Sequence, residues 1–370
     1  VPGPPPALLH LGTEPGWRGG EAQALFLARG LRRRGRRSVV AAPPGSVLLQ
    51  RASSEGIETV PFAARGEWDL AAGRRLARLL DALPAPLVHA HTAHAAGLVL
   101  LARLFGGRAR VVVSRRVSFP LRPPLLGRLK YSWRVDRIIA VSEAIRRSLV
   151  RQGIDPARVV AVHSGIDAAR FAAGRREPVR ADLLKAGAFP VDALLVGTVG
   201  HLAAHKGIDR FLEAAALLSR SRPAARFVIV GRGDEEQALR GLAARLGLGG
   251  RVLFAGFRDD LPDLYAAIDL FALTSTSGEG SPAVLKEAMA AGVPVVSTSL
   301  DGVEEIIEDA RHGLLTPPGD AAATASALER LAADAPLRER LVVAARRRAA
   351  EFSIERMVEK TEAVYASLGV

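Results

Sequence analysis

The sequence predicts an α/β chain made of two doubly wound, Rossmann-like parallel sheets. Three observations carry this expectation. Short apolar, β-branched runs alternate with helical stretches along the whole chain, the pattern of parallel sheets flanked by helices. The 370 residues suffice for two domains of ordinary size. A Pro- and charge-rich crossing near residues 168–192 interrupts the alternation, and a new strand opens after it.

The front half supplies the strands ALLHL, RRSVVAA, LVHAH, RVVVS and RIIAVS. Helices read between them in GGEAQALFLARGLRRRG, WDLAAGRRLARLLDAL, TAHAAGLVLLARLFG and SEAIRRSLVRQG, the last with Ser142 as its start signal. A last short strand lies in VVAVH. Beyond the crossing, LLVGTVG, RFVIVG, RVLFAG, LFALTS (Leu270 to Leu273) and PVVSTS are strands. In SPAVLKEAMAAG, Ser281 suits an N-cap and Pro282 the first helical position. Gly292 should end that helix after Ala291, with Pro294 just beyond. The final stretch is an amphipathic helix with Ile354, Val358, Val364, Tyr365 and Leu368 on one side. The expected domains are residues 1–172 and 173–353, with the helix over about 354–370 packing back on the first. No repeat of fixed period appears.

Composition narrows the class. At 49% hydrophobic the chain should fold, and it has no Cys for disulfides or thiolate metal sites. No run of eighteen or more apolar residues suggests a spanning helix. The opening VPGPPPALLHL has no basic n-region and no long h-region, so a secretory signal is not expected there. The expected location is cytoplasmic, with the inner face of the plasma membrane as an extension of that expectation. The basic residues are overwhelmingly Arg, with Lys only at 130, 185, 206, 286 and 360. Residues 1–176 hold 29 basic against 11 acidic residues, a balance of +18, whereas residues 177–370 hold 22 against 27, a balance of −5. The front half should therefore attract an anionic ligand or surface. Nucleic acid is not the expected partner, because no zinc knuckle or aromatic RNA-binding pair accompanies the charge.

Four stretches carry chemistry. In SGEGSPAVLKEAMAAGVPVV, seven residues separate Glu279 from Glu287. Glu279 falls in the loop before a helix and Glu287 in its second turn, both within reach of the helix N-terminus. Helix N-termini bind anions, and carboxylates accept from vicinal hydroxyls, so a nucleotide sugar suits the pair. In GWRGGEAQ, Gly19 and Gly20 open a helix after the first strand, where amides can face a phosphate. In VHAHTAHAAG, His89 and His91 end a strand and are expected on alternate faces, one of them toward the ligand. They lack an obvious third zinc ligand. In GTVGHLAAHKG, Lys206 at a helix start can neutralise a diphosphate as a point charge.

With these in order, joined by VHSGID, FVIVGRGDEE and RVLFAGFRDDLPDLYAAIDLFALTS, nearly the whole chain resembles the retaining GT-B-fold glycosyltransferases of glycosyltransferase family 4. The resemblance implies two domains facing across a cleft, a donor nucleotide sugar on the second and an acceptor on the first. It implies that Glu279 touches the donor sugar and Glu287 the ribose. Amides of Gly280, Ser281, Ala283 and Val284 would face the diphosphate or sugar, and Lys206 would neutralise the leaving group. Gly231 and Gly233 would leave room for the nucleotide, and Gly256, Phe257 and Arg258 would border the base. Gly20, beside Gly19, would approach the diphosphate, and His91 the reacting sugar. His201 stands where the family often has Arg, which puts more of the charge on Lys206 and leaves room for weaker activity as pH rises. The implied activity is transfer of a sugar, most simply from a UDP-sugar, to an acceptor hydroxyl with retention, in envelope, lipopolysaccharide or glycolipid synthesis. No carboxylate is nominated as a nucleophile. No cofactor or metal is implied, and Asp259 and Asp260 read as a helix-start turn.

The acceptor is least legible. Arg115 and Arg116, after RVVVS, suit an anionic or lipid-linked acceptor. The segment VSRRVSFPLRPPLLGRLKYSWR mixes Arg with apolar residues in the manner of an anionic membrane surface contact. The rivals are a GT-B-fold epimerase or phosphorylase and a nucleotide-sugar binder without catalysis.

Overall fold

The computed structural model describes residues 7–83, 87–119, 121 and 124–370. Pro120, Arg122 and Pro123 of the expected membrane segment lie outside the described residues. The chain divides into two compact units, Val1–Gly165 with Ile354–Val370, and Ile166–Ser353.

In unit 1 the order is β1 (Leu8–Leu11), α1 (Gly19–Arg33), β2 (Ser38–Ala42), α2 (Val47–Ser54), β3 (Glu58–Pro61), α3 (Leu70–Ala82) and β4 (Leu87–Ala90). Then come α4 (Ala93–Leu104), β5 (Arg110–Arg115), α5 (Pro124–Ser132), β6 (Arg137–Ala140), α6 (Glu143–Arg151) and β7 (Val159–Ala161). The strands form one sheet in the order β3-β2-β1-β4-β5-β6-β7, and every pair is parallel. Side-chain oxygens of Ser46, Asp69, Thr92 and Ser142 cap α2, α3, α4 and α6. β3 and α2 were not anticipated. β3 is an edge strand with no fully buried residue, so it lacks the apolar run that marks the others.

In unit 2 the order is α7 (Ala168–Ala172), α8 (Arg176–Gly187), β8 (Leu194–Val199), α9 (Ile208–Ser221), β9 (Ala225–Val230), α10 (Glu236–Arg245), β10 (Val252–Gly256), α11 (Leu261–Ala267) and β11 (Leu270–Leu273). It continues with α12 (Ala283–Ala291), β12 (Val295–Thr298), α13 (Asp301–Glu304), β13 (Leu314–Thr316), α14 (Ala321–Ala333) and α15 (Ala335–Ala350). The sheet runs β10-β9-β8-β11-β12-β13, again parallel. β13, three residues long, escaped the pattern reading.

The expected boundary at 172/173 moves to 165/166. α7 belongs to unit 2 because Phe171 is buried in its core, edge-on to Tyr265 at 5.8 Å. The Pro- and charge-rich crossing near residues 168–192 is largely helical, as α7 and α8. The last helix, α16 (Ile354–Ala366), packs on α1 within unit 1. Val358 occupies the space above Gly30, where an added Cβ would come within 2.4 Å of it. Tyr365 reaches β4 and bonds His89 Nδ1 through its hydroxyl at 2.6 Å.

Both sheets are doubly wound, with the first strand of each unit inside the sheet. Strand order reverses between β1 and β4 in unit 1, and between β8 and β11 in unit 2. Ligands of open α/β sheets bind at the carboxyl ends of strands beside such reversals.

Candidate active site

In unit 2 the loops after β8 and β11, the strands flanking the reversal, are stitched together. Thr276 N–H donates to the His205 carbonyl at 2.9 Å, and Thr274 Oγ1 to that of Gly207 at 2.8 Å. Gly207 has φ +61°, and a Cβ there would stand 2.0 Å from the Thr274 oxygen, so only glycine fits. This stitching brings Lys206 to Glu279. Its Nζ lies 2.7 Å from Glu279 Oε1, which also accepts from Ser275 Oγ at 2.5 Å. Glu279 is 6% exposed. Thr298, ending β12, donates to the Ser275 carbonyl at 2.6 Å and so braces the Ser275 side of this grip.

α12 begins at Ala283, not at the expected Ser281 cap. Pro282 stands at the N-cap with no side-chain cap bond, and Ser281 Oγ instead accepts from Lys286 Nζ at 2.9 Å. The serine hydroxyl is thus turned toward the lysine, and the helix starts one residue later than the cap rule places it. The other end is as expected, with Gly292 at φ +82°. The first amides of α12 have no intrahelical acceptor. Glu287, half-buried on α12, receives the Tyr265 hydroxyl at 3.3 Å, and Val284 O lies 3.1 Å from the same hydroxyl. Burial raises the Glu287 carboxyl to about 7, against the opposing pull of Tyr265 and Lys286.

The glycines serve the protein's own backbone. A Cβ on Gly231 would stand 1.8 Å from the Gly200 oxygen, and one on Gly233 2.1 Å from that of Leu202. They let the loop after β9 pass the loop carrying His201, a closer constraint than room for a nucleotide. Gly256 ends β10 with φ +66°. Phe257 beside it is 49% exposed, and Arg258 is paired with Asp260, which places both in the α11 start turn. Gly302, which the sequence reading missed, abuts the key turn: a Cβ there would meet the carbonyl oxygens of Gly280 and Glu279 at 2.3 and 2.4 Å. The signal was its place in the short helix α13, a few residues after β12. Lys286 was missed too, although one of only five lysines beside Glu287 was a visible oddity.

In unit 1, Gly19 and Gly20 start α1, and the Arg18 amide donates to Glu21 Oε2 at 3.0 Å. His89 and His91 do not lie on alternate faces. Residues two apart on a strand share a face, and their rings stack at 4.1 Å between centroids. His10 of β1, in register with His89, joins them, with Nδ1 3.1 Å from His91 Nε2. The three imidazoles could set ligand atoms within 4.8 Å of one another, so His10 supplies the third imidazole the pair lacked. All but one of their nitrogens are otherwise engaged, the exception being His10 Nε2, which is buried without a hydrogen-bond partner. His89 bonds Tyr365 and Ser114, and an Arg116 guanidinium N–H lies 3.3 Å from His91 Nδ1. A cation there opposes a metal dication, and it makes His91 Nδ1 the acceptor, so the ring proton sits on Nε2. Burial holds all three imidazoles below the usual histidine range, His10 at about 4.

The two arginines part company. Arg115, 9% exposed, bonds Tyr131 Oη at 3.3 Å and the Phe119 carbonyl, so it fastens its own loop and is not presented to an acceptor. Arg116 points instead to His91 and Gly20, whose Cβ position is 3.7 Å from Arg116 Cδ. Burial lowers its pKa to about 10, against a weaker attraction from Glu21. A cavity of about 390 Å³ in unit 2 lies elsewhere, lined by Leu194, Leu270 and Pro294 before or at the starts of their strands. Its arginines are spent on Asp269 and on the carbonyls of Leu331 and Ala332.

Residues 17–170 match the family described as Glycosyltransferase Family 4, and residues 179–348 that described as Glycosyl transferases group 1. The chain is 40% identical over 152 residues to a lipopolysaccharide core biosynthesis glycosyltransferase, LpsE, of Rhizobium meliloti, covering 41% of this chain and 43% of that protein. It is 30% identical to the putative glycosyltransferase EpsD of Bacillus subtilis, over 81% of each. Anabaena HepE, solved in complex with UDP and glucose, superposes with a TM-score of 0.86 at 23% identity, covering 97% of this chain and 99% of that one. The chain thus belongs to the glycosyltransferases in which a family 4 segment is followed by a group 1 segment.

Proposed function

We propose that the protein transfers a sugar from a nucleoside-diphosphate sugar, in the first instance a UDP-sugar, to an acceptor hydroxyl with retention of anomeric configuration. The observation that carries this reading is the Lys206–Glu279–Ser275 grip at the strand-order reversal of unit 2, one turn before a helix that bears Glu287. The donor diphosphate takes the amides at the start of α12 and draws Lys206 from Glu279. Glu279 then accepts from sugar hydroxyls, and Glu287 from the ribose. The anomeric C–O bond breaks with its electron pair leaving on the diphosphate, where Lys206 and the helix end stabilise the charge. The acceptor oxygen bonds the anomeric carbon on the face the diphosphate vacates, and its proton passes to a departing phosphate oxygen. No metal ion enters this sequence.

On unit 1, Arg116, with Gly20 and His91 beside it, suits an acceptor carrying a phosphate or other anionic group. The basic front half, with Trp68 and Leu70 each 59% exposed, supports a lipid-linked acceptor met at an anionic membrane on the cytoplasmic side. The name of the Rhizobium relative supports placement in lipopolysaccharide or other envelope synthesis. The test is calorimetric titration with UDP, GDP and ADP, each with and without EDTA. Tight, EDTA-insensitive binding of one supports the donor site and identifies the base; binding of none removes it.

A further inference from the structure

Lys286 is fully buried, at 0% exposure, on the helix that follows the Glu279 turn. Burial strips the amine of its hydration and lowers its pKa to about 7, and this chain uses lysine at only five positions. Its Nζ donates to Ser281 Oγ at 2.9 Å and stands 5.2 Å from the centroid of Phe352, a favourable cation–π distance. Successive residues on a helix diverge by about 100°, so Lys286 reaches inward to Ser281 while Glu287 meets Tyr265.

The turn from Glu279 to Ser281 is thus held at both ends and from behind. Lys206 and Ser275 hold Glu279, Lys286 holds Ser281, and Gly302 allows the backbone to lie against α13. A hydroxyl that accepts from an ammonium group keeps its own hydrogen for another acceptor. We propose that Lys286 is a positioning residue of the donor site: by fixing Ser281, it turns that hydroxyl and the first amides of α12 into ready donors for the diphosphate. The inference rests on the donor-site reading above. It gives the buried lysine a task that neither core packing nor the glutamate pair requires.

The test is a double-mutant cycle of Lys286→Met and Ser281→Ala, read by calorimetric titration with UDP (or with GDP or ADP where that is the diphosphate bound) and by thermal melting. Lys286→Met should weaken binding about ten-fold while leaving the melting temperature unchanged or higher, because an unbranched apolar side chain, shorter only by the terminal nitrogen, replaces a buried polar group. Ser281→Ala should weaken binding to a similar degree, and the double variant should be no weaker than the worse single one. Should Lys286→Met fail to fold, Ser281→Ala carries the same expectation alone, and wild-type binding by it overturns the proposal. Wild-type binding by a folded Lys286→Met also overturns it, as does an additive cycle in which affinity and melting temperature fall together. A wild-type protein that binds none of the three diphosphates overturns the donor-site reading and this inference with it. Tight wild-type binding beside an unaffected Lys286→Met removes only the role of the lysine.

Discussion

Glu279 and Glu287 are chemically alike and differently placed, so they should fail differently. Glu279→Ala leaves Lys206 unpaired and removes a contact to the reacting sugar; turnover should fall at least a hundredfold, by the scale of lost transition-state contacts, with UDP affinity little changed. Glu287→Ala should weaken UDP binding about tenfold or more. Steady-state kinetics and calorimetry separate the two. Glu287 also predicts a pH dependence. Its carboxyl is raised from 4.5 to about 7, so the ligand-free site is largely protonated below neutrality. Ribose hydroxyls donate to the ionised form, so UDP affinity should rise between pH 6 and 8 and then level off. Glu287→Gln should flatten the rise. The same shift makes folding less favourable as pH climbs from 4.5 toward 7, because the folded state holds that proton more tightly than the unfolded chain. Sequence spacing marked both glutamates and Lys206. It could not show that Lys206 is already paired with Glu279, since Gly207 and the Thr274–Thr276 loop accomplish this across 73 residues.

At the scale of elements, the turn before α12 depends on a second, short helix. Gly302→Ala would drive a methyl group into the carbonyls of Glu279 and Gly280. The backbone there must move, so kcat should fall at least tenfold while the melting temperature drops by only a few degrees, as a local shift of roughly 1–2 kcal/mol implies. Activity assays and a thermal melt on the same preparation check this. β11 and the C-terminal end of α12 were readable because burial and a Gly stop leave local marks. The start of α12 was misread because Ser281 obeys the cap rule locally, while a buried lysine one turn on takes its hydroxyl. The histidines were misread by face. β1 and β4 are adjacent and in register, so His10, His89 and His91 share one side of the sheet, and Arg116 then sets the protonation of His91.

For the whole molecule, unit 1 is completed by the last helix of the chain. Deleting residues 354–370 uncovers Leu8, Leu27, Leu31 and Val112, which cluster with Ile354, Met357, Val358 and Tyr365. It also leaves His89 Nδ1 without its partner. The truncated chain should lose several kcal/mol and yield insoluble or protease-sensitive unit 1, with unit 2 still cooperative in a calorimetric scan. Tyr365→Phe, which removes one buried hydrogen bond, should cost about 1–2 kcal/mol. The sequence by itself determined two parallel α/β units, the glutamate pair, the lysine of the β8 loop and the basic front half, because burial periodicity, turn chemistry and charge are written in neighbouring residues. Only the tertiary structure decided that Arg115 is structural while Arg116 faces His91, that α7 belongs to unit 2, and that Gly302 and Lys286 frame the Glu279 turn. Each of these rests on contacts between residues distant in the chain or on the direction of a side chain from its element, and neither is encoded in local sequence.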